Sequence, residues 1–364
     1  MHTSTHWIRK TLGHWVFLLL IWAFVQHPGT LLAVSTASAA ATTTMPDSDV
    51  TLGQPVQVIS KGNVENRFMI ATGYRRDRLD WSIAGKLFDY AQHEDVVVNV
   101  LSELTWKDLD IHLVRLSNET VFVDHYLFRI SCQHGTIYDG ENQDSDYKGP
   151  DRTEEWSRSN NSADDGDVND MSIAAGYRFS VLKHRLAITP LVGYSYHEQN
   201  LVMTDGYQTV SEPDPALRLN PPEVGPFDGL DSTYEARWRG PWLGLDAGYT
   251  LLFKKPALAM TFGLELEYHW ADYSASADWN LRSDLAHPES FEHEAAGTGF
   301  VVAARWRCQI ARHFGLNLSF DYQDWSTNAG TDRVFLSNGA SDETRLNEVN
   351  WSSRAILFGV DYAF

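Results

Sequence analysis

The chain has 364 residues, and 29 Lys and Arg against 48 Asp and Glu give it a formal net charge of -19 at pH 7. Because nucleic-acid phosphates are bound by clustered Lys and Arg, this charge excludes nucleic acid as a partner. Thirteen Trp, fifteen Tyr and seventeen Phe accompany a mean hydropathy of only -0.32. Such a mixture is typical of a β-barrel whose lipid-facing side chains are diluted by a polar lumen.

The N-terminus has the pattern of a secretory signal. Arg9 and Lys10 precede the apolar run WVFLLLIWAFV at 15–25, and small residues ending at Ala39 follow. This apolar run is shorter than the ~20 residues that a transmembrane helix needs, whereas its flanks match those of a cleavable signal peptide. We therefore expect residues 1–39 to be a signal peptide and the mature chain to be exported.

Strict alternation of apolar and polar residues recurs through the mature chain. In one segment Phe262, Leu264 and Leu266 share the apolar face, and Glu265 and Glu267 share the polar face. A period of two predicts a β-strand with one face toward an apolar environment. The same pattern predicts ten strands, near 66–76, 102–115, 119–137, 168–181, 185–203, 233–251, 257–272, 296–311, 315–326 and 348–364.

The connections between these strands alternate between short and long. Tight connections are predicted at LSNE (116–119), LKHR (182–185), FKKPA (253–257) and ARHFG (311–315), and long ones at 77–101, 138–167, 204–232, 273–295 and 327–347. A secreted sandwich also alternates along its strands, but only a barrel in a membrane has reason to make every second connection short. The predicted fold is all-β: a ten-stranded antiparallel transmembrane β-barrel over 66–364 with long outer loops, preceded by a lead-in segment over 40–65.

The last strand, AILFGVDYAF, ends on an aromatic residue. It resembles the terminal signal by which outer-membrane barrels are recognised for insertion. We therefore expect the cell outer membrane as the location, with tight turns in the periplasm and long loops outside.

The stretch DSDY, in the second long connection, holds the first candidate site. Asp144 and Asp146 are two apart, so on an extended segment both side chains point to the same side. Carboxylates held this close can position a water molecule or share a proton. The alternative is an ordinary acidic loop, because Asp is favoured in turns for reasons unconnected with catalysis.

Three stretches resemble the omptins, the ten-stranded surface proteases of Gram-negative bacteria. They are SELTWKDLDI at 102–111, YEARWRGPWLGLDAGY at 234–249 and the closing GVDYAF. The resemblance implies an outer-membrane endopeptidase in which a water molecule, held between two pairs of residues, attacks the peptide carbonyl. Asp144 and Asp146 match the first pair of the omptins, Asp-x-Asp followed by an aromatic residue.

The second omptin pair, Asp-x-His, has an imperfect counterpart here. The nearest match is Asp278-Trp279-Asn280, with Asn in place of His and one residue more after Trp270 than the family spacing has. Because Asn cannot accept a proton from water, a general base worth 10² to 10⁴ in rate is missing. His287 and His293 lie further along the same loop. Either one of them folds back to replace the base, or both are exposed loop histidines.

Three functions therefore remain open. The first is an omptin-like endopeptidase with an altered base, the second is a non-proteolytic surface binding protein or adhesin on the same scaffold, and the third is a porin. The porin ranks last, because charged residues would fill the narrow lumen of ten strands. The acid-rich segment 137–167 favours cationic peptides or proteins as partners beside outer-membrane lipid.

No cofactor or metal is expected, because DSDY lacks the other ligands and the turn glycine of a calcium loop. Cys132 and Cys308 lie far apart in sequence. In an oxidising compartment they would pair only if their Cα atoms were close, which the sequence leaves open.

Overall fold

The computed structural model describes residues 64–253 and 258–364. The predicted signal peptide and residues 40–63 of the lead-in segment lie outside the described residues, as does most of the predicted tight connection at 253–257. Within the described ranges, no helix is both long and apolar enough to cross a membrane.

Ten long strands form a closed antiparallel ring, which confirms the predicted fold. They are β1 (Val64–Asp89), β2 (Glu94–Phe122), β3 (Tyr126–Tyr147), β5 (Gly166–Tyr177), β7 (Leu186–Ser211), β9 (Ser232–Phe253), β10 (Leu258–Asp278), β11 (Phe291–Gln309), β12 (Phe314–Thr327) and β14 (Ser341–Ala363). Each strand pairs with the next in this order, and pairing between β1 and β14 closes the ring.

Four short strands and one helical turn complete the described elements. They are the 3-10 turn Pro150–Arg152 and the strands β4 (Glu155–Ser162), β6 (Phe179–Val181), β8 (Gly225–Phe227) and β13 (Gly330–Phe335). β4 pairs with β3 and β7, beyond the start of β5, and β13 pairs with β11 and β14, beyond the end of β12. The barrel wall therefore continues past the ten-strand ring at the end that carries the long connections. We call this end the loop end and the opposite one the turn end.

The strands are longer than the sequence pattern predicts. Much of the predicted loop at 77–101 is strand, with the hairpin tip near residue 91, and one tight turn was placed wrongly. The predicted turn LSNE (116–119) lies within β2, and the chain turns at 123–125 instead. Glu119 belongs to the barrel interior, because it pairs in register with Arg129 and forms a salt bridge with it. Ser117 shares its parity, whereas Asn118 has the opposite parity.

The outer surface carries an apolar belt. Phe262, Leu264 and Leu266 are 48%, 47% and 38% exposed, whereas Glu265 between them is 5% exposed. The predicted facing of β10 is therefore confirmed. Exposed aromatic and aliphatic residues on other strands continue this belt, among them Ile70, Phe128, Ile173, Val192, Phe320 and Phe358.

The lumen is polar toward the turn end and aromatic toward the loop end. Arg129 forms salt bridges with Glu119, Asp246 and Glu265, which compensates for the cost of burying these charges. Toward the loop end an apolar core fills the barrel.

Trp238, Trp325 and Trp351 lie at the boundary of these two regions. All three are fully buried, with ring centroids of Trp325 and Trp351 5.4 Å apart and those of Trp238 and Trp325 5.7 Å apart. We call these three residues the tryptophan layer. Cys132 and Cys308 lie on β3 and β11 as free, buried thiols, so they do not pair.

Candidate functional site

Asp144 and Asp146 lie on the inner wall of the barrel at its loop end. Both belong to β3, where Asp144 pairs with Leu104 and Asp146 pairs with Ser102. Directly opposed residues of an antiparallel pair point to the same face, and Leu104 is in the buried core. The two carboxylates therefore point into the mouth, and we call them the acid pair.

The environment of the acid pair favours protonation. Burial raises the pKa of Asp144 well above its usual value, and the charge of Asp146 raises it further. Burial also raises the pKa of Asp146 to about 6, although the Ser102 hydroxyl and the charge of Arg282 oppose the change. One oxygen of Asp144, Oδ1, is inaccessible to solvent and has no hydrogen-bond partner among the described residues. The acid pair thus holds protons that ordinary surface aspartates release.

The end of β10 presents different residues to the mouth. Ala275 and Ala277 are buried in the core, so Asp278 has the parity of the lipid-facing residues further down the strand. Trp279 comes next and has the parity of the inward-facing residues. Its ring packs on Phe291 with ring centroids 4.7 Å apart, and its side chain forms a hydrogen bond with Asp144 that lowers the pKa of this carboxyl group. A shift of one residue reverses the facing of every side chain on a strand. The extra residue after Trp270 therefore leaves Ala277 and Trp279 at the inner positions.

Asp278 forms a dyad with a histidine on the loop between β10 and β11. His287 Nδ1 lies 2.6 Å from Asp278 Oδ1, and the two side chains are 39% and 30% exposed. His287 does fold back, and it does so onto Asp278.

His293 is fully buried in the apolar core. Its Nδ1 lies 2.9 Å from the hydroxyl of Tyr234, and its Nε2 lies 3.2 Å from Asp332. His293 is therefore not an exposed loop residue, and burial separates it from substrate.

Asn280 ties together two loops. Its side-chain oxygen accepts hydrogen bonds from the Asp231 amide and the Ser232 hydroxyl, and its side-chain nitrogen donates to the Gly229 carbonyl. Within the described ranges, no hydrogen bond or salt bridge joins Asp278 or Asn280 to Asp144 or Asp146. Asp278 therefore has His287 as its partner, and Asn280 has its partners within 229–232.

Sequence reasoning missed Trp279 and Arg282, which interact with the acid pair through a hydrogen bond and through charge, respectively. Arg282 is held by a bidentate salt bridge with Asp284, and its charge lowers the pKa of both carboxylates of the acid pair. Its amide donates to the carbonyl of Trp279, which fixes a turn above the mouth. The only available signal was a cation two residues after Asn280 in an acid-rich chain. No cluster of three metal-binding side chains occurs among the described residues.

Comparisons with known proteins agree with the barrel architecture. Residues 69–364 match the model of the family described as Protochlamydia outer membrane protein. No curated protein matches the sequence significantly. The outer membrane protease OmpT from Escherichia coli is similar in structure, with a TM-score of 0.65 and 12% identity over 82% of this chain and 97% of that chain. The translocator domain of the autotransporter NalP from Neisseria meningitidis has a TM-score of 0.31 and 10% identity over 82% and 88% of the two chains. At 12% identity the similarity to OmpT is one of fold.

Proposed function

We propose, on the premise that the chain belongs to the Protochlamydia outer membrane protein family and lies in the outer membrane, that its loop-end mouth binds cationic segments of peptides or proteins without cleaving them. The observation that carries this proposal is the acid pair, two carboxylates on the inner wall of the mouth. Outer-membrane lipid is the proposed partner of the apolar belt.

The chemistry of the mouth favours a cationic partner. Carboxylates accept charge-assisted hydrogen bonds from guanidinium and ammonium groups, which are about twice as strong as neutral ones. Among the described residues Arg282 lowers the pKa of both acids, but its salt bridge is with Asp284. A cationic side chain entering the mouth would therefore meet an acid pair that forms no salt bridge within the described part of the chain.

The same geometry argues against proteolysis at the acid pair. The omptin-like mechanism needs an imidazole facing the two aspartates across the mouth, and the inner positions of β10 and the residue after it hold Ala277 and Trp279. Neither side chain accepts a proton from water. The omptin resemblance therefore supports a common scaffold better than a common reaction.

A second candidate is an endopeptidase that uses a relocated base. The specific observation in its favour is the contact of 2.6 Å between His287 and Asp278, because a carboxylate orients an imidazole and stabilises its protonated form. Both side chains are partly exposed and thus accessible to a peptide. This candidate requires that the Asp278–His287 dyad act without the acid pair or that the loop move.

One experiment separates the two candidates. The folded barrel in lipid is titrated with a fluorescent Arg-rich peptide, and is also incubated with a mixture of basic peptides that is read by mass spectrometry. We expect binding without cleavage, and loss of affinity of roughly tenfold or more when Asp144→Asn is combined with Asp146→Asn, since hydrogen bonds to charged groups contribute about 1.5–3 kcal/mol.

The matched control removes two charges from an exposed loop by Glu223→Gln with Asp228→Asn. We expect this variant to bind the peptide within about twofold of the wild type, because exposed charges are screened. Equal losses in both double variants would refute specific binding at the acid pair. Cleavage by the wild type that disappears in His287→Ala would establish the endopeptidase.

A further inference from the structure

A second, separate site lies in the lumen on the turn-end side of the tryptophan layer. The lumen there contains a cavity of about 190 Å³, whose lining combines apolar residues with polar ones and includes Ser172, Ser195, Glu267, His269, Arg305 and Trp242. A cavity of this size has room for one small organic molecule or several water molecules.

Three of these residues form a hydrogen-bonded chain. Ser195 Oγ lies 3.1 Å from His269 Nδ1, and His269 Nε2 lies 2.9 Å from Glu267 Oε2. A carboxylate accepts a hydrogen bond from Nε2–H, so Nδ1 is left as the acceptor for the serine hydroxyl. Ser195 as nucleophile, His269 as base and Glu267 as the group that orients the base are thus arranged as in sites that activate a serine.

The chain is built by strands distant in sequence and is held rigidly. Ser195 is on β7 and His269 and Glu267 are on β10, and both the serine and the histidine are 2% exposed. The His269 ring also packs on Trp325 of the tryptophan layer, with centroids 4.7 Å apart. The imidazole therefore has one orientation, which a general base requires.

Glu267 forms hydrogen bonds with both His269 and Glu265. The lumen arginines Arg129 and Arg305 form their salt bridges with Glu265 and Asp246, and no salt bridge joins Glu267 to Lys or Arg within the described ranges. A buried carboxylate without a cation is costly unless its hydrogen bonds compensate. The hydrogen bonds of Glu267 with His269 and Glu265 supply that compensation.

An unused donor lies beside the chain. The Nε1–H group of Trp242 is buried and has no hydrogen-bond partner among the described residues, and its ring centroid is 5.6 Å from that of His269. A preorganised donor in a site of low dielectric stabilises the negative oxygen that forms during acyl transfer.

We propose that Ser195, His269 and Glu267 form an acyl-transfer site that hydrolyses small esters in the lumen. Ser195 Oγ bonds to the ester carbonyl carbon while its proton passes to His269 Nδ1, and the alkoxide leaves with that proton as an alcohol. Water then adds to the acyl-serine and gives its proton to Nδ1, and the carboxylic acid departs as Ser195 recovers a proton. Glu267 is a positioning residue that fixes the orientation of the His269 ring.

The cavity restricts both the size of the substrate and its route. The tryptophan layer and the apolar core fill the lumen toward the loop end. Met69, Asn317 and Gly359 line the cavity near the opposite ends of their strands. Small esters therefore enter from the turn end, and large peptides are excluded. This site does not depend on the function of the acid pair.

The test uses a small fluorophosphonate ester, which phosphonylates activated serines. The folded full-length barrel in lipid is incubated with this probe, and the adduct is measured by intact-mass and peptide mass spectrometry. We expect one adduct, located on Ser195 and absent from Ser195→Ala. His269→Gln should slow labelling by 10² to 10⁴, the usual contribution of a general base.

Two further variants distinguish catalysis from structure. Ser353 is a buried serine on β14 outside the lining of this cavity, so Ser353→Ala is the matched control and should label like the wild type. Glu267→Gln should lower the labelling rate at saturating probe without changing the probe concentration at half saturation. Absence of an adduct in the folded wild type, or an equal adduct in Ser195→Ala, would overturn the proposal.

Discussion

Binding of cationic peptides at the acid pair should weaken as the pH falls. The pKa of Asp146 is raised to about 6, and that of Asp144 is raised above its usual value by burial and by Asp146. At pH 7.5 Asp146 is therefore mostly ionised, and at pH 5 it is mostly protonated. Lowering the pH across this interval removes about one negative charge from the mouth, whereas ordinary aspartates remain ionised throughout.

The size of the effect follows from the position of the pair. Two unit charges 4 Å apart interact by about 1 kcal/mol in water and about 4 kcal/mol at the effective dielectric constant of a protein surface. The acid pair is partly buried, so we expect a loss of about 1–3 kcal/mol, which is roughly a 5- to 150-fold increase in Kd between pH 7.5 and 5. The other groups that influence the pair are Arg282, which stays charged in this range, and Glu155.

The assay is a fluorescence titration with an Arg-rich peptide whose charge is constant over this interval. The wild type, the variant with Asp144→Asn and Asp146→Asn, and the variant with Glu223→Gln and Asp228→Asn are measured at several pH values. We expect the pH dependence in the first and third proteins only. An unchanged Kd in the wild type, or the same pH dependence in all three, would refute the assignment of the titrating charge to the acid pair.

Three other predictions concern stability and the missing base. Folding raises the pKa of Asp146 from 3.8 to about 6, so the stabilising contribution of this group is complete below pH 3.8 and is lost as the pH rises through 6. Replacing both acids by Asp144→Asn with Asp146→Asn should therefore stabilise the barrel against urea at pH 8, by at most about 3 kcal/mol for Asp146. The same variant should be stabilised much less at pH 4. Leu264→Arg in the apolar belt should cost about 2–4 kcal/mol in folding titrations into bilayers if position 264 is near the midplane, and a neutral result would contradict its assigned facing or depth. Asn280→His should not create peptidase activity on basic peptides, because this position serves loop contacts away from the acid pair; a gain of 10²-fold or more would show that the loop rearranges.

Local patterns in the sequence were enough to predict the facing of the strands and their number. Alternation with a period of two specifies which face of a strand meets lipid, as at Leu264 and Glu265, because neighbouring side chains on a strand point to opposite sides. The same rule places Asp144 and Asp146 on one side of β3. Together with the alternation of short and long connections, it predicted a closed barrel of ten strands.

Register and loop folding were decided by the tertiary structure. Polar residues at 116–119 are equally compatible with a turn and with a lumen, and only the partner Arg129 across the pair assigns Glu119 to the lumen. One additional residue in β10 turns Asp278 away from the mouth, where His287 reaches it from nine positions along the chain.

The contact between Ser195 and His269 joins residues 74 positions apart. Neither residue carries a local signal for it. The contact arises because β9 pairs with both β7 and β10, so the inward faces of these two strands lie one strand apart in the barrel wall. Their alignment depends on the register of both pairings.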